Sequence, residues 1–211
     1  MSFSPYFSPI YRLKELFRQG WIGKVPTSEI ESIAEHSFSV ASLALILVPI
    51  ENRLRRLAQQ DHDFLNKLTV LERALVHDLP ESQYLDMDKS FSRVLGEDRL
   101  KIIKEELDIK AEDAINSNIK NLEEKIFSLQ QESILPPMND KTLTLENEFI
   151  KLLDSLELFL QTTNYLTKNF ISKDLAEPFL ISTRKKITSY SETFLIVPYL
   201  FQEKKIRNEK N

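Results

Sequence analysis

Apolar positions along the chain recur with the 3.6-residue period of a helix, not the two-residue alternation of a strand. The clearest run is Ile33, Val40, Leu43, Leu47 and Leu54, which predicts a long helix over residues 32–60. Pro49 falls inside it and is expected to kink it or split it in two. A shorter helix is predicted over 9–18, followed by a loop through Gly20, Gly23 and Pro26. A third runs over 63–78, because Pro80 disfavours helical geometry at Leu79. The charged, amphipathic stretch over 98–131 reads as one helix or two, and 132–141 as a loop. Helices over 143–168 and 173–201 follow, the second interrupted by Pro178 and Pro198. The charged residues after 202 are expected to fray.

Composition supports this all-α reading. The chain has three glycines, too few for the turns of a β-rich domain of 211 residues. That length suits one domain able to bury a full core without disulfides. The absence of cysteine excludes a disulfide framework, a thiolate zinc site and a cysteine nucleophile. Acidic and basic residues are interspersed, with a net charge of -4, and no basic stripe suggests nucleic acid or a membrane surface as partner. An anionic substrate must therefore be drawn by local cations. The N-terminus lacks a basic segment followed by an apolar one, so it does not read as a signal peptide. The longest apolar run, 40–50, falls short of the roughly 20 residues a bilayer requires. A cytoplasmic protein is expected.

Two of the three histidines stand in unusual company. His77 precedes Asp78 at the end of the run Ala74-Leu75-Val76, with Glu81 and Asp86 close behind. His36 lies early in the long helix between Ile33 and Val40. Asp154 lies on a helix face with Ile150 and Leu158 one turn away on either side. Burying an imidazole or carboxylate on such faces is costly unless something compensates. One divalent cation can compensate all four, and a mixed nitrogen and oxygen set suits manganese, cobalt, iron or zinc with open positions. Taken singly, each residue has a plainer explanation. A lone histidine is more often a satisfied core residue, Asp78 can help end a helix, and Asp154 can pair with a buried arginine or lysine. His62, in the polar QQDHD segment, reads as solvated surface.

Together the segments are far more specific. Gly20-Trp21-Ile22, the helix start Ser32-Ile33-Ala34-Glu35-His36-Ser37, the block Ala74-Leu75-Val76-His77-Asp78-Leu79-Pro80-Glu81 with Asp86, and Leu153-Asp154-Ser155-Leu156-Glu157-Leu158 follow one another along the chain. This order resembles the HD-domain metal-dependent phosphohydrolases, in particular the branch of bacterial 5'-deoxynucleotidases and their HD-domain-containing relatives. The resemblance covers about residues 8–170, leaving a helical extension over about 173–202 and a tail over 203–211. The departures are four. The stretch from Trp21 to His36 is one residue longer; Gly20 stands where the bacterial enzyme has arginine, the nearest being Arg18; Leu85 replaces a glycine; Ser155 replaces a lysine.

The resemblance implies a single HD-domain helical bundle with a central metal site. It implies one divalent ion (cobalt, manganese, iron, zinc or magnesium) on His36, His77, Asp78 and Asp154, Glu81 as acid/base, and Asp86 orienting water or sugar. Trp21 would wall the sugar pocket, Ile22 would line the base pocket, and Arg18 and Lys24 would contact phosphate. The implied activity is hydrolysis of deoxynucleoside 5'-monophosphates by a homodimer, whose apolar surface or core would include 194–201. Alternatives are a deoxynucleoside triphosphohydrolase or phosphodiesterase, and a non-catalytic metal-binding regulator. A triphosphate requires further cations, and no such cluster can be placed along the linear chain.

Overall fold

The computed structural model describes residues 4–59, 64–87, 90–127 and 144–201. The predicted loop over 132–141, the tail over 203–211 and His62 lie outside them. Among the described residues the only β-type feature is one bridge between Phe17 and Ser32, so the all-α expectation holds.

Helices α1 (Ser4–Glu15), α2 (Ile33–Leu57) and α3 (Lys67–Val76) are followed by the short α4 (Glu81–Tyr84) and α5 (Ser90–Leu95). Then come α6 (Glu97–Phe127), α7 (Thr144–Thr167), α8 (Lys173–Thr188) and α9 (Val197–Leu200). α2 packs on α1, α3 and α7; α7 packs in turn on α3 and α8. Val40, Ala44 and Val48 of α2, Val70 and Ala74 of α3, and Phe149, Leu152, Leu153 and Leu156 of α7 form the main core. Ile187, Phe194, Ile196 and Val197 close that core, so the C-terminal extension is structurally part of the domain and 194–197 supplies core.

A buried ion pair locks this closure. Arg55 Nε donates to Glu51 Oε1 at 2.7 Å and its Nη2 donates to the carbonyl of Thr193. Glu51 in turn accepts the backbone N–H groups of Leu195 and Ile196 at 3.1 and 2.8 Å. Both charges are fully engaged, which is what makes their burial tolerable. α2 is long and apolar enough by composition to cross a bilayer, yet here one face forms the centre of the bundle. Its other face leaves Phe38, Leu45, Ile46, Ile50 and Leu57 exposed.

The prolines do not divide the helices that hold them. α2 continues through Pro49 and α8 through Pro178 without being divided. Pro49 sits on the exposed face, where solvent can take the carbonyl it leaves unbonded. Pro178 lies in the second turn of α8, so the bond it lacks concerns a carbonyl of the first turn only. The predicted helix over 173–201 is instead broken at 189–196, where the chain turns to meet Glu51. α1 likewise begins before Pro9 and runs through it. The stretch over 98–127 forms one helix, and α4 and α5 add two short elements that hydrophobic periodicity does not reveal.

Candidate metal centre and its cavity

His36 is delivered by a well-defined helix start. Ser32 caps α2 by accepting from the Glu35 N–H, and Glu35 Oε2 accepts back from the Ser32 N–H at 2.7 Å, a reciprocal capping box. The bonds from Arg18 N–H to the Glu31 carbonyl and from Ile33 N–H to the Leu16 carbonyl close the intervening loop. Arg18 and Trp21 are thereby brought beside the first turn of α2. His77 caps the C-terminal end of α3, and the tight turn over 77–80 turns Asp78 inward. α7 supplies Asp154 from the facing helix.

The two imidazoles are oriented in the same sense. His36 Nδ1 lies 2.8 Å from Glu157 Oε2, and His77 Nδ1 lies 2.8 Å from the carbonyl of Ala74. Both partners accept, so each Nδ1 donates and each Nε2 is the atom left to take a cation, whether a second proton or a metal ion. Both Nε2 atoms are buried without a hydrogen-bond partner. They converge on one point: His36 Nε2 is 3.5 Å from Asp78 Oδ2 and 3.4 Å from Asp154 Oδ1, and His77 Nε2 is 3.4 Å from Asp78 Oδ2. Ligands at about 2.1 Å from one ion are separated by about 3.0–3.4 Å when adjacent, so His36, His77 and Asp78 fit a divalent cation, and Asp154 borders that group at His36. One atom each from His36, His77 and Asp78 already lies within 4.8 Å of the others.

The electrostatics call for positive charge at this point. Burial and Arg18 work against protonation of His36, but Asp154, Glu157 and Asp78 outweigh them and push it up to about 10. Burial would raise Asp154, yet His36, Arg18 and His77 hold it below the usual carboxylate range, and His77 foremost, then His36 and Arg18, do the same for Asp78. Arg18 Nη1 is 3.2 Å from Asp78 and its Nη2 3.9 Å from Asp154, so the guanidinium borders the centre.

This chain matches the HD-domain family over residues 10–193. It belongs to that family. Solved structures that resemble this HD domain include a conserved hypothetical protein from Pyrococcus furiosus, at 26% identity and TM-score 0.60 over 93% of each chain. A protein from Pyrococcus horikoshii shares 22% identity at TM-score 0.57, over 92% of this chain and 96% of its own. An HD-domain phosphohydrolase from Listeria innocua shares 20% identity at TM-score 0.59, over 96% of this chain and 86% of its own. No match was found among curated proteins.

The HD pair lies at the wall of a cavity of about 1120 Å3. Arg18, Trp21, Lys24, Glu81, Asp86 and Asp154 also line it, whereas Ile22 is half exposed and outside the lining. Trp21 is only 2% exposed. Its Nε1 donates to Glu31 Oε1 at 3.1 Å, and its ring meets Tyr165 edge-on and lies against Phe179. It is therefore a core anchor with one edge on the cavity. Lys24 reaches the Gly20 carbonyl and lies over the Phe179 ring. Asp86 accepts from the Gln19 N–H at 2.9 Å, which fixes the carboxylate to the Arg18–Trp21 loop. The residue before it, Leu85, has φ 84° and ψ 155°, a conformation suited to glycine.

Glu81 opens α4 and is buried, with Oε2 lacking a partner and Oε1 4.0 Å from Lys104 Nζ. Burial, followed by the charges of Asp78 and Asp86, pushes its carboxyl up to about 9. A protonated carboxyl at neutral pH is a proton donor facing the cavity. Sequence reasoning missed a second buried group. Glu31, His36 and Glu157 hold ligand atoms within 4.8 Å of one another. None of the three lines the cavity, and His36 Nδ1 and Glu31 are engaged by Glu157 and Trp21. Burial and the Glu157 charge push Glu31 up to about 7. We read this group as the support behind His36, not as a second cation site.

Proposed function

We propose that this HD domain is a metal-dependent phosphohydrolase that cleaves deoxynucleoside 5'-monophosphates to deoxynucleosides and orthophosphate. The observation that carries the reading is that His77, Asp78 and Asp154 line a cavity that also holds a protonated Glu81, with the buried Nε2 of His36 3.5 and 3.4 Å from the two aspartates behind its wall. The description of the Listeria innocua relative as an HD-domain phosphohydrolase agrees with it. A regulator that keeps its metal only for stability does not account for Glu81, whose burial in a cavity wall is costly and serves no structural bond at Oε2.

His36, His77, Asp78 and Asp154 would hold the cation. When bound, it supplies Lewis acidity to the phosphoryl group and an acidified water as nucleophile. Arg18 adds a planar pair of donors beside the same point, suited to two phosphate oxygens. The water oxygen would bond to phosphorus as the P–O5' bond breaks; Glu81 would deliver its proton to the departing O5' and regain one that the water brought to the orthophosphate. Asp86, fixed by the Gln19 N–H, orients the water or the sugar. Glu157 and Ala74 keep both histidine rings aimed inward.

Trp21 forms the sugar wall. Glu31, Tyr165 and Phe179 hold its ring on three sides, so it cannot swing away from an added 2'-hydroxyl. A hydroxyl buried there without a partner costs about 1–3 kcal/mol, or about 5- to 150-fold in rate. The test is a screen of divalent metals against deoxy- and ribonucleoside monophosphates, with Trp21→Phe as the informative variant. The wild type is expected to favour deoxynucleotides, and the smaller ring is expected to lower the deoxy-to-ribo ratio of kcat/KM. An unchanged ratio in a folded variant makes Trp21 a packing residue only.

A further inference from the structure

The inward face of α6 changes character along the helix. Towards the C-terminus it is apolar: Ala111 and Ile115 are buried, and Ile115 and Ile119 pack with Leu13 and Leu79. Towards the N-terminus the same face continues, at steps of three and four residues, through Asp108 and Lys104. Apolar side chains would extend the packing at both places, so the polar ones answer to what they meet on α4.

They meet Glu81 and Tyr84, which stand one turn apart on α4. Tyr84 Oη donates to Asp108 Oδ1. Lys104 Nζ stands 4.0 Å from Glu81 Oε1. Two rungs, one turn apart on each helix, thus join α4 to α6. The Tyr84–Asp108 bond already ties the helices together. The second rung is placed differently, because Lys104 and Glu81 both line the cavity. Among the described residues, Glu81 is the only carboxylate within ion-pair distance of Lys104, and Lys104 is the only cation within that distance of Glu81.

Glu81 has little else to hold it. α4 is a single turn, Glu81–Tyr84, too short to keep its shape unaided. The carboxyl is buried and its Oε2 has no hydrogen-bond partner. Rotation about the last bond of a glutamate is broad where no contact restricts it, so an unheld carboxyl turns either oxygen to the cavity. Lys104 removes that freedom. An ammonium only donates, so the oxygen it faces is the acceptor, and the proton of the acid form belongs on the other oxygen, Oε2.

We propose that Lys104 is a positioning residue for proton delivery: it holds the Glu81 carboxyl with Oε1 turned to α6 and leaves Oε2 as the donor. This rests on the acid role given to Glu81 above. In the step, the proton passes from Oε2 to the departing oxygen of the substrate. The carboxylate left behind faces the Lys104 ammonium, and it regains a proton that the attacking water brought to the orthophosphate. Lys104 acts through Glu81 and makes no bond to the substrate.

The test uses two substrates and one structure. 2'-Deoxyadenosine 5'-monophosphate expels an alkoxide, which needs a proton, whereas p-nitrophenyl phosphate expels a stable phenolate, which does not. With Mn2+ present, Lys104→Met is expected to lower kcat on the nucleotide about 10- to 100-fold, the scale of a catalytic group misplaced by about 1 Å, with little change in KM. Turnover of p-nitrophenyl phosphate is expected to stay near wild type, and Lys104→Arg to recover most of the loss. Lys101→Met, which removes the same charge from an exposed position of α6 outside the cavity wall, is expected to match wild type. An unchanged kcat in Lys104→Met, an equal loss on both substrates, or the same loss in Lys101→Met overturns the proposal. The crystal structure of metal-free Lys104→Met reads the positioning without turnover: the Glu81 carboxyl is expected to leave its place or to take two orientations, and an unmoved carboxyl overturns the proposal. A wild type inert on both substrates would refute the phosphohydrolase reading, while that structure still decides whether Lys104 holds Glu81.

Discussion

His36 Nδ1 lies 2.8 Å from Glu157 Oε2 inside the protein, so the ring is held at one nitrogen and left bare at the other. Glu157 follows Asp154 by one turn on α7. One helix face thus supplies both a proposed metal ligand and the group that aims another. Glu157→Gln keeps the shape and a hydrogen bond but removes the charge. We expect the Mn2+ or Co2+ affinity to fall about 10- to 100-fold, the usual cost of losing a partner behind a ligating histidine. The check is calorimetric titration of metal-free protein, with thermal melting alongside. A lower melting temperature with unchanged affinity would make Glu157 purely structural.

Glu81 is held protonated by burial and by Asp78 and Asp86, up to about 9. The acid form is therefore present at neutral pH and is lost as pH rises towards 9. The predicted kcat/KM profile falls on the alkaline side, and a bound cation, by offsetting Asp78, draws that limb below 9. Glu81→Gln is expected to retain metal while losing about 10²- to 10⁴-fold in turnover. Turnover within a few-fold of wild type, with the limb intact, would remove Glu81 from the chemistry.

Much of this was legible in the sequence because it is local. Ser32 and Glu35 announce the start of α2, and an apolar run ending in His77-Asp78 marks two polar groups that require compensation. What was not legible depends on distant chain segments meeting. Glu31 and Glu157 are ordinary helix-start and helix-face carboxylates until the fold sets them around His36. Arg73, Lys151 and Lys186 are far apart in the chain and line one cavity only because α3, α7 and α8 pack together. Pro178 misled because proline in the second turn of a helix disturbs only first-turn bonding. The exposed position of Ile22 could not be read from a two-residue stretch between Gly20 and Gly23.

Leu85 occupies a backbone conformation that glycine adopts freely, and its side chain is half exposed. Such strain costs about 1–3 kcal/mol, against about 0.5–1 kcal/mol for the greater chain entropy of glycine. Leu85→Gly is therefore predicted to stabilise the protein by about 1 kcal/mol, or to raise Tm by about 2–4 °C for a domain of this size. Asp86 should stay on the Gln19 N–H. Differential scanning calorimetry gives the answer, and an unchanged or lower Tm contradicts a strained Leu85.

The most direct measurement is stoichiometric. Metal-free protein receives Mn2+ or Co2+ in increments, and orthophosphate release from a deoxynucleoside monophosphate is followed at each step. The account predicts no release without metal, a linear rise, and a plateau at one cation per chain, with His77→Ala inert throughout. Release that ignores the added cation, or that plateaus equally in His77→Ala, would contradict it.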